Sequence, residues 1–229
     1  MFFDPMWFLF AVPPLLLMLY AQIKVSRTYN KYSKVLNAQG VTGAQVARTL
    51  LGNGGLGHIG TEQTPGELTD HYDPKEKMLR LSPGVYKNAS VASMGIVAHE
   101  VGHAMQDHTG YLPMRVRGGL VPLANLGTTM GYIFFLIGFF LQFTPLVWVG
   151  IALFSAAVLF ALVTLPVELD ASHRARMMLQ ANGLVSMEEY NAASAVLNAA
   201  ALTYLAALLQ AVSNLLYFVF AALGMRNRD

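Results

Sequence analysis

The chain contains no cysteine, and only 12% of its 229 residues are Asp, Glu, Lys or Arg. The first absence removes disulfides and thiolate ligands, so any metal site must be built from His, Asp and Glu. The second leaves the chain well short of the roughly 25% charge of ordinary soluble domains. With 55% hydrophobic residues, it points to a membrane protein. An excess of one sign of charge is also missing. A net charge of +2 gives no ground for nucleic-acid binding. There is no internal repeat and no low-complexity segment. Three long stretches, 5–22, 118–167 and 190–225, hold no Asp, Glu, Lys, Arg or His. Spans without ionisable groups of this kind argue against a transporter.

These stretches are long enough to cross a bilayer, for which a helix needs about 20 apolar residues. The first makes one span, 6–23. Its lack of a basic start, its Pro13-Pro14 pair and the absence of a small-residue cleavage site favour a retained span over a signal peptide. The second makes two, 120–141 and 146–165, broken at Gln142-Phe143-Thr144-Pro145. The third begins with a capping signal, Ser186 followed by Glu189 three residues on, and spans at about 200–223. With four spans, Lys24, Arg27, Lys31, Lys34, Arg115, Arg117, Arg174 and Arg176 all fall on one side. Arg226, Arg228 and Asp4 fall on the other. The basic side is expected to be cytoplasmic, with both termini outside.

Residues 24–117 carry most of the charge and are expected to form an α+β aqueous domain. Thr42 and Gln45 read as a capping box for a helix over 44–51. Strand-like pieces follow at 58–62, 67–72 and 78–82, with Asp73–Lys77 as a hairpin loop. A second helix runs over 90–107, ended by Gly110 and Pro113. The organisation expected is an N-terminal span (1–23), the aqueous domain (24–117) and a membrane hairpin (118–167). A helical aqueous segment (168–199) and a last span with a short tail (200–229) complete it.

The second helix contains His99-Glu100-Val101-Gly102-His103. Two His four residues apart lie on one helical face and can hold one Zn²⁺. Glu100 is displaced around the helix, where it can act on a water as general base without being a ligand. A catalytic zinc site uses three protein ligands and one open position. The third candidate is Glu168, directly after the uncharged run. Asp170 points to a different face, suits a supporting role and remains the alternative ligand. His71 and Tyr72 are candidate donors to a developing oxyanion. An unpaired edge at 78–82 would let a peptide add as an extra strand.

Four segments resemble the YugP-type neutral zinc metallopeptidases of bacterial membranes. They are Leu68-Thr69-Asp70-His71-Tyr72-Asp73-Pro74, Leu79-Arg80-Leu81-Ser82, Ala98-His99-Glu100-Val101-Gly102-His103-Ala104 and Leu165-Pro166-Val167-Glu168-Leu169-Asp170-Ala171-Ser172. More distantly the chain is similar to the HtpX-type membrane proteases. The resemblance implies about four transmembrane helices and a small α+β, zincin-like cytosolic domain carrying the HExxH helix. It also implies Glu168 as third ligand, often with an Asp four residues later, where this chain has Ser172. The expected function is an integral-membrane zinc endopeptidase acting on peptide or protein substrates at the cytoplasmic face of a bacterial cell membrane. A homo-oligomer is compatible with the chain. The alternative is a non-catalytic metal-binding scaffold or regulator in the membrane.

Overall fold

The computed structural model describes residues 5–226. Asp4 and Arg228, on which the orientation argument drew, lie outside this range. The elements in order are α1 (Pro5–Tyr32), α2 (Gly43–Asn53), β1 (Gly60–Gln63), β2 (His71–Asp73), β3 (Met78–Leu81), α3 (Pro83–Lys87), α4 (Val91–His108), α5 (Leu112–Phe140), α6 (Thr144–Ala181) and α7 (Met187–Arg226). The protein is mostly helical, with one small three-stranded sheet. Among the described residues, four helices, α1, α5, α6 and α7, are long and apolar enough to cross a membrane. Each begins or continues outside its apolar run, so helix ends and span ends are separate things here.

The chain forms two compact units. The first comprises Met1–Ala21, Pro113–Pro166 and Thr203–Asp229. Its core gathers Phe135, Val147, Ile151, Phe154, Tyr217 and Phe218, with the Phe135 and Phe218 rings stacked at 4.0 Å. Small residues set the approach of α5 to α6. A Cβ at Gly127 would lie 2.4 Å from the Leu153 carbonyl oxygen, and one at Gly131 2.7 Å from the Phe154 nitrogen. Between apolar helices without water to expel, backbone contact of this closeness supplies the attraction through dispersion. The break between α5 and α6 comes at Gln142, whose positive φ turns the chain where the Gln142–Pro145 signal places it.

The second unit comprises Gln22–Leu112 and Val167–Leu202. Its centre is α4, along which 13 residues are buried. Ser90 caps it, its hydroxyl oxygen accepting from the Ser93 amide at 3.1 Å. Helix α2 starts at the expected capping box, with Thr42 and Gln45 bonding each other's backbone. It packs Val46, Ala47, Leu50 and Leu51 inward. A second capping box opens α7. Glu189 accepts from the Ser186 amide, and its other oxygen accepts from the Ala38 amide 151 residues away. One carboxylate thus closes a helix end and tethers the loop after α1. These hydrogen bonds outweigh the effect of burial and hold the Glu189 carboxyl below its usual range.

The sheet order is β1-β3-β2, with β1 parallel and β2 antiparallel to β3. The condition for strand addition at 78–82, an open edge, is therefore not met. β3 is paired on both sides, and the edges are β1 and β2. The strand expected over 67–72 is shorter and shifted. Gly66 and Leu68 both take positive φ, which an extended strand does not accommodate, and pairing begins only at His71. Helix α3, absent from the sequence reading, follows β3 directly. Its N-cap Ser82 gives its amide and hydroxyl to Asp70. On the exposed sheet face, Arg80 joins Glu62, Asp73 and Glu76, tying β1 and the β2–β3 hairpin together.

Candidate metal centre

The i, i+4 spacing on α4 sets the His99 and His103 rings edge to face, with centroids 4.8 Å apart. Helix α6 brings Glu168 to the pair. Its Oε2 lies 3.2 Å from His99 Nε2 and 3.5 Å from His103 Nε2. One ligand atom from each of the three residues lies within 4.8 Å of the others. His103 and Glu168 are buried, and Glu168 is only 2% exposed.

The approach that makes this possible rests on Gly102. A Cβ there would sit 2.6 Å from the Ala171 carbonyl oxygen. Only a residue without a side chain lets α4 and α6 touch along their backbones at this level.

The surroundings fix which imidazole nitrogens face inward. Gln106 is fully buried between α4 and α6. Its Nε2 donates to the Val167 carbonyl and to Asp170, both at 2.8 Å. Its Oε1 is therefore the atom facing His103 Nδ1 at 2.9 Å, and an amide oxygen can only accept. His103 thus carries its proton on Nδ1, and its Nε2 is aimed at Glu168. His99 is held similarly, with Nδ1 3.2 Å from Ser172 Oγ and Nε2 towards Glu168. A bare Nε2 lone pair opposite a carboxylate oxygen is tolerable only with a positive charge between them, either a proton or a metal ion.

The electrostatics agree. Burial works against charge on His103, yet hydrogen bonding to Glu168 and the charge of Glu100 outweigh it and raise its pKa. Glu168, directly after the apolar run that ends at Val167, shows the counterpart. Burial alone would raise its carboxyl, but His103 and His99 hold it well below the usual carboxylate range. Two imidazoles and one carboxylate, preorganised around a demand for positive charge, are a donor set that suits Zn²⁺ with a position left open.

Glu100 lies beside this set and is not part of it. It is 8% exposed, and its Oε2 accepts from the Tyr72 amide of β2 at 3.1 Å. Burial pushes its carboxyl up, an effect that the nearby His99 and His103 partly offset. A carboxylate whose proton affinity is raised in this way suits the part of a general base.

The structure does not bring Asp170 or His71 into the group. Asp170 Oδ2 accepts from Gln106 and, at 2.6 Å, from Arg174 Nε, whose guanidinium lies over the Tyr111 ring. It therefore reaches His103 only through Gln106. His71 is exposed on the face of β2 opposite Tyr72, its Nδ1 2.8 Å from the Thr69 carbonyl oxygen. The sequence reading missed Gln106 and the role of Ser172. The signal for Ser172 was its place four residues after Glu168. Gln106 offered only an uncharged polar residue one turn after His103.

Replacing Gln106 by Leu should leave His103 Nδ1, the Val167 carbonyl and Asp170 without their shared partner. Zinc affinity is expected to fall about 10–100-fold, as for other residues that orient metal-binding His. Competition with a chelator of known affinity measures this, and an unchanged affinity would show that Gln106 does not orient His103.

The model of the family described as "Putative neutral zinc metallopeptidase" matches residues 7–223. The chain is 42% identical over 210 residues to "Putative membrane protease YugP" of Bacillus subtilis (strain 168), covering 92% of this chain and 93% of that one. No solved structure gives a significant match.

Proposed function

We propose, since this chain belongs to the family of neutral zinc metallopeptidases, that it is an integral-membrane zinc endopeptidase. It hydrolyses peptide bonds of membrane or membrane-proximal proteins at the cytoplasmic face of a bacterial cell membrane. The observation that carries the reading is the buried convergence of His99, His103 and Glu168, with Glu100 alongside. His99, His103 and Glu168 would hold the ion. Zn²⁺ bound there would supply Lewis acidity towards a scissile carbonyl and a water molecule.

The other steps belong to side chains. Glu100 takes a proton from the attacking water and delivers it to the leaving amine, a task that its burial-raised pKa suits. Gln106 and Ser172 keep the imidazoles from rotating while charge at the site changes. Residues 24–117 and 168–199 make the zincin-like catalytic domain. The spans within 1–23, 118–167 and 200–229 hold it at the bilayer, on the side marked by the basic residues.

Metal analysis and a cleavage assay on the purified protein in detergent test this reading. One zinc per chain is expected. Chelation should stop cleavage of a membrane-anchored peptide, and added Zn²⁺ should restore it. A folded, zinc-loaded protein that cleaves nothing across a broad peptide library would instead mark a metal-binding scaffold.

A further inference from the structure

Tyr72 touches α4 at two points. Its amide donates to Glu100 Oε2 at 3.1 Å, and its hydroxyl donates to Asp107 Oδ2 at 2.7 Å. Glu100 and Asp107 are seven residues apart, two helical turns on one face of α4. Tyr72 is itself buried, in the short edge strand β2. Lys77, at the far end of the same hairpin, reaches the same Asp107 oxygen at 2.5 Å. The hairpin between them is cross-linked. Asp73 Oδ1 accepts from the Lys75 and Glu76 amides, and Arg80 binds both Asp73 and Glu76. Burial and the Asp107 carboxylate raise the Tyr72 hydroxyl pKa, so it stays a donor across the working pH range.

We propose that Tyr72 is a positioning residue for Glu100. Asp107 anchors its hydroxyl, and that anchor sets the β2–β3 hairpin against α4 so that the Tyr72 amide orients the Glu100 carboxylate. Three facts support it together: one residue bridges two turns of the helix that carries the general base, its hairpin is cross-linked by Asp73 and Arg80, and a second hairpin residue converges on the same anchor. The inference rests on the role of Glu100 given above. It adds a device in which a side-chain contact about 10 Å along the helix controls the aim of that carboxylate.

The test uses the full-length protein in detergent. Tyr72→Phe keeps the ring and its packing and removes only the anchor. It should lower kcat about fivefold, the effect of one hydrogen bond, with KM and zinc content unchanged. Asp107→Ala, which also removes the Lys77 ion pair, should lose at least as much. Asp107→Asn, which still accepts from the hydroxyl, should recover most of the loss. The double variant Tyr72→Phe/Asp107→Ala should be no worse than Asp107→Ala, which already removes the Tyr72 contact.

A second readout needs no turnover. Amide hydrogen exchange over residues 71–73 should quicken about tenfold in Tyr72→Phe, while exchange in α2 stays as in the wild type. Unchanged kcat and exchange in Tyr72→Phe would overturn the proposal. So would a loss confined to KM or zinc affinity, or additive losses in the double variant. Failure of the underlying reading looks different: cleavage would then survive in Glu100→Gln.

Discussion

Glu100→Gln is expected to bind zinc as the wild type does and to lose about 10²–10⁴-fold in turnover, the range for losing general acid–base catalysis. The side chain keeps its shape and an oxygen that can still accept from the Tyr72 amide. None of its atoms belongs to the ligand group of His99, His103 and Glu168. What disappears is a carboxylate whose affinity for a proton is raised by burial. Because substrate should still dock, the variant should also trap uncleaved clients, which can be recovered by affinity purification from detergent-solubilised membranes. Wild-type cleavage by Glu100→Gln would remove Glu100 from the mechanism. Loss of zinc along with cleavage would mean that it helps to hold the ion.

Gly102→Ala carries the second largest effect, through packing instead of chemistry. The added methyl would sit 2.6 Å from the Ala171 carbonyl oxygen. The obstacle is backbone, so it cannot rotate away, and α4 and α6 must separate. Overpacking of this kind costs about 1–3 kcal/mol. The functional loss should be larger than that cost suggests. Glu168 lies one turn before Ala171 on α6, whereas His99 and His103 flank Gly102 on α4. A shift between the helices therefore pulls the carboxylate from the imidazoles, and a misplacement of about 1 Å can cost on the order of 10²-fold in rate. A lowered melting temperature with reduced zinc retention and turnover is the expected result. Unaltered zinc retention and turnover would show that the helices accommodate the methyl without moving the site.

Some of this architecture was legible without coordinates because it is local. Apolar runs long enough for a bilayer, capping boxes at Thr42–Gln45 and Ser186–Glu189, and two His at i, i+4 are patterns within a few turns of chain. Helical periodicity alone puts His99 and His103 on one face. The strands were harder. The second partner of β3 left no trace in the sequence, because β1 pairs with it in parallel across residues 64–77 and such pairing leaves no turn signal. Helix α3 escaped because it is five residues long and its N-terminus is held by Asp70, a residue 12 positions before its cap.

From its sequence alone, this chain is marked as a membrane protein of the neutral zinc metallopeptidase family with His99, Glu100 and His103 on one helix. Composition, hydrophobic run length and the four-residue spacing suffice for that. Tertiary structure decided the rest of the candidate site. It brought Glu168 to the two imidazoles, sent Asp170 to Gln106 and Arg174, and set Ser172 on His99 and the Tyr72 amide on Glu100. These contacts join residues 28 to 73 positions apart, apart from the Asp170–Arg174 pair. The physical reason is that such contacts depend on how closely two helices can approach. Here that distance is set at Gly102, by the absence of a side chain.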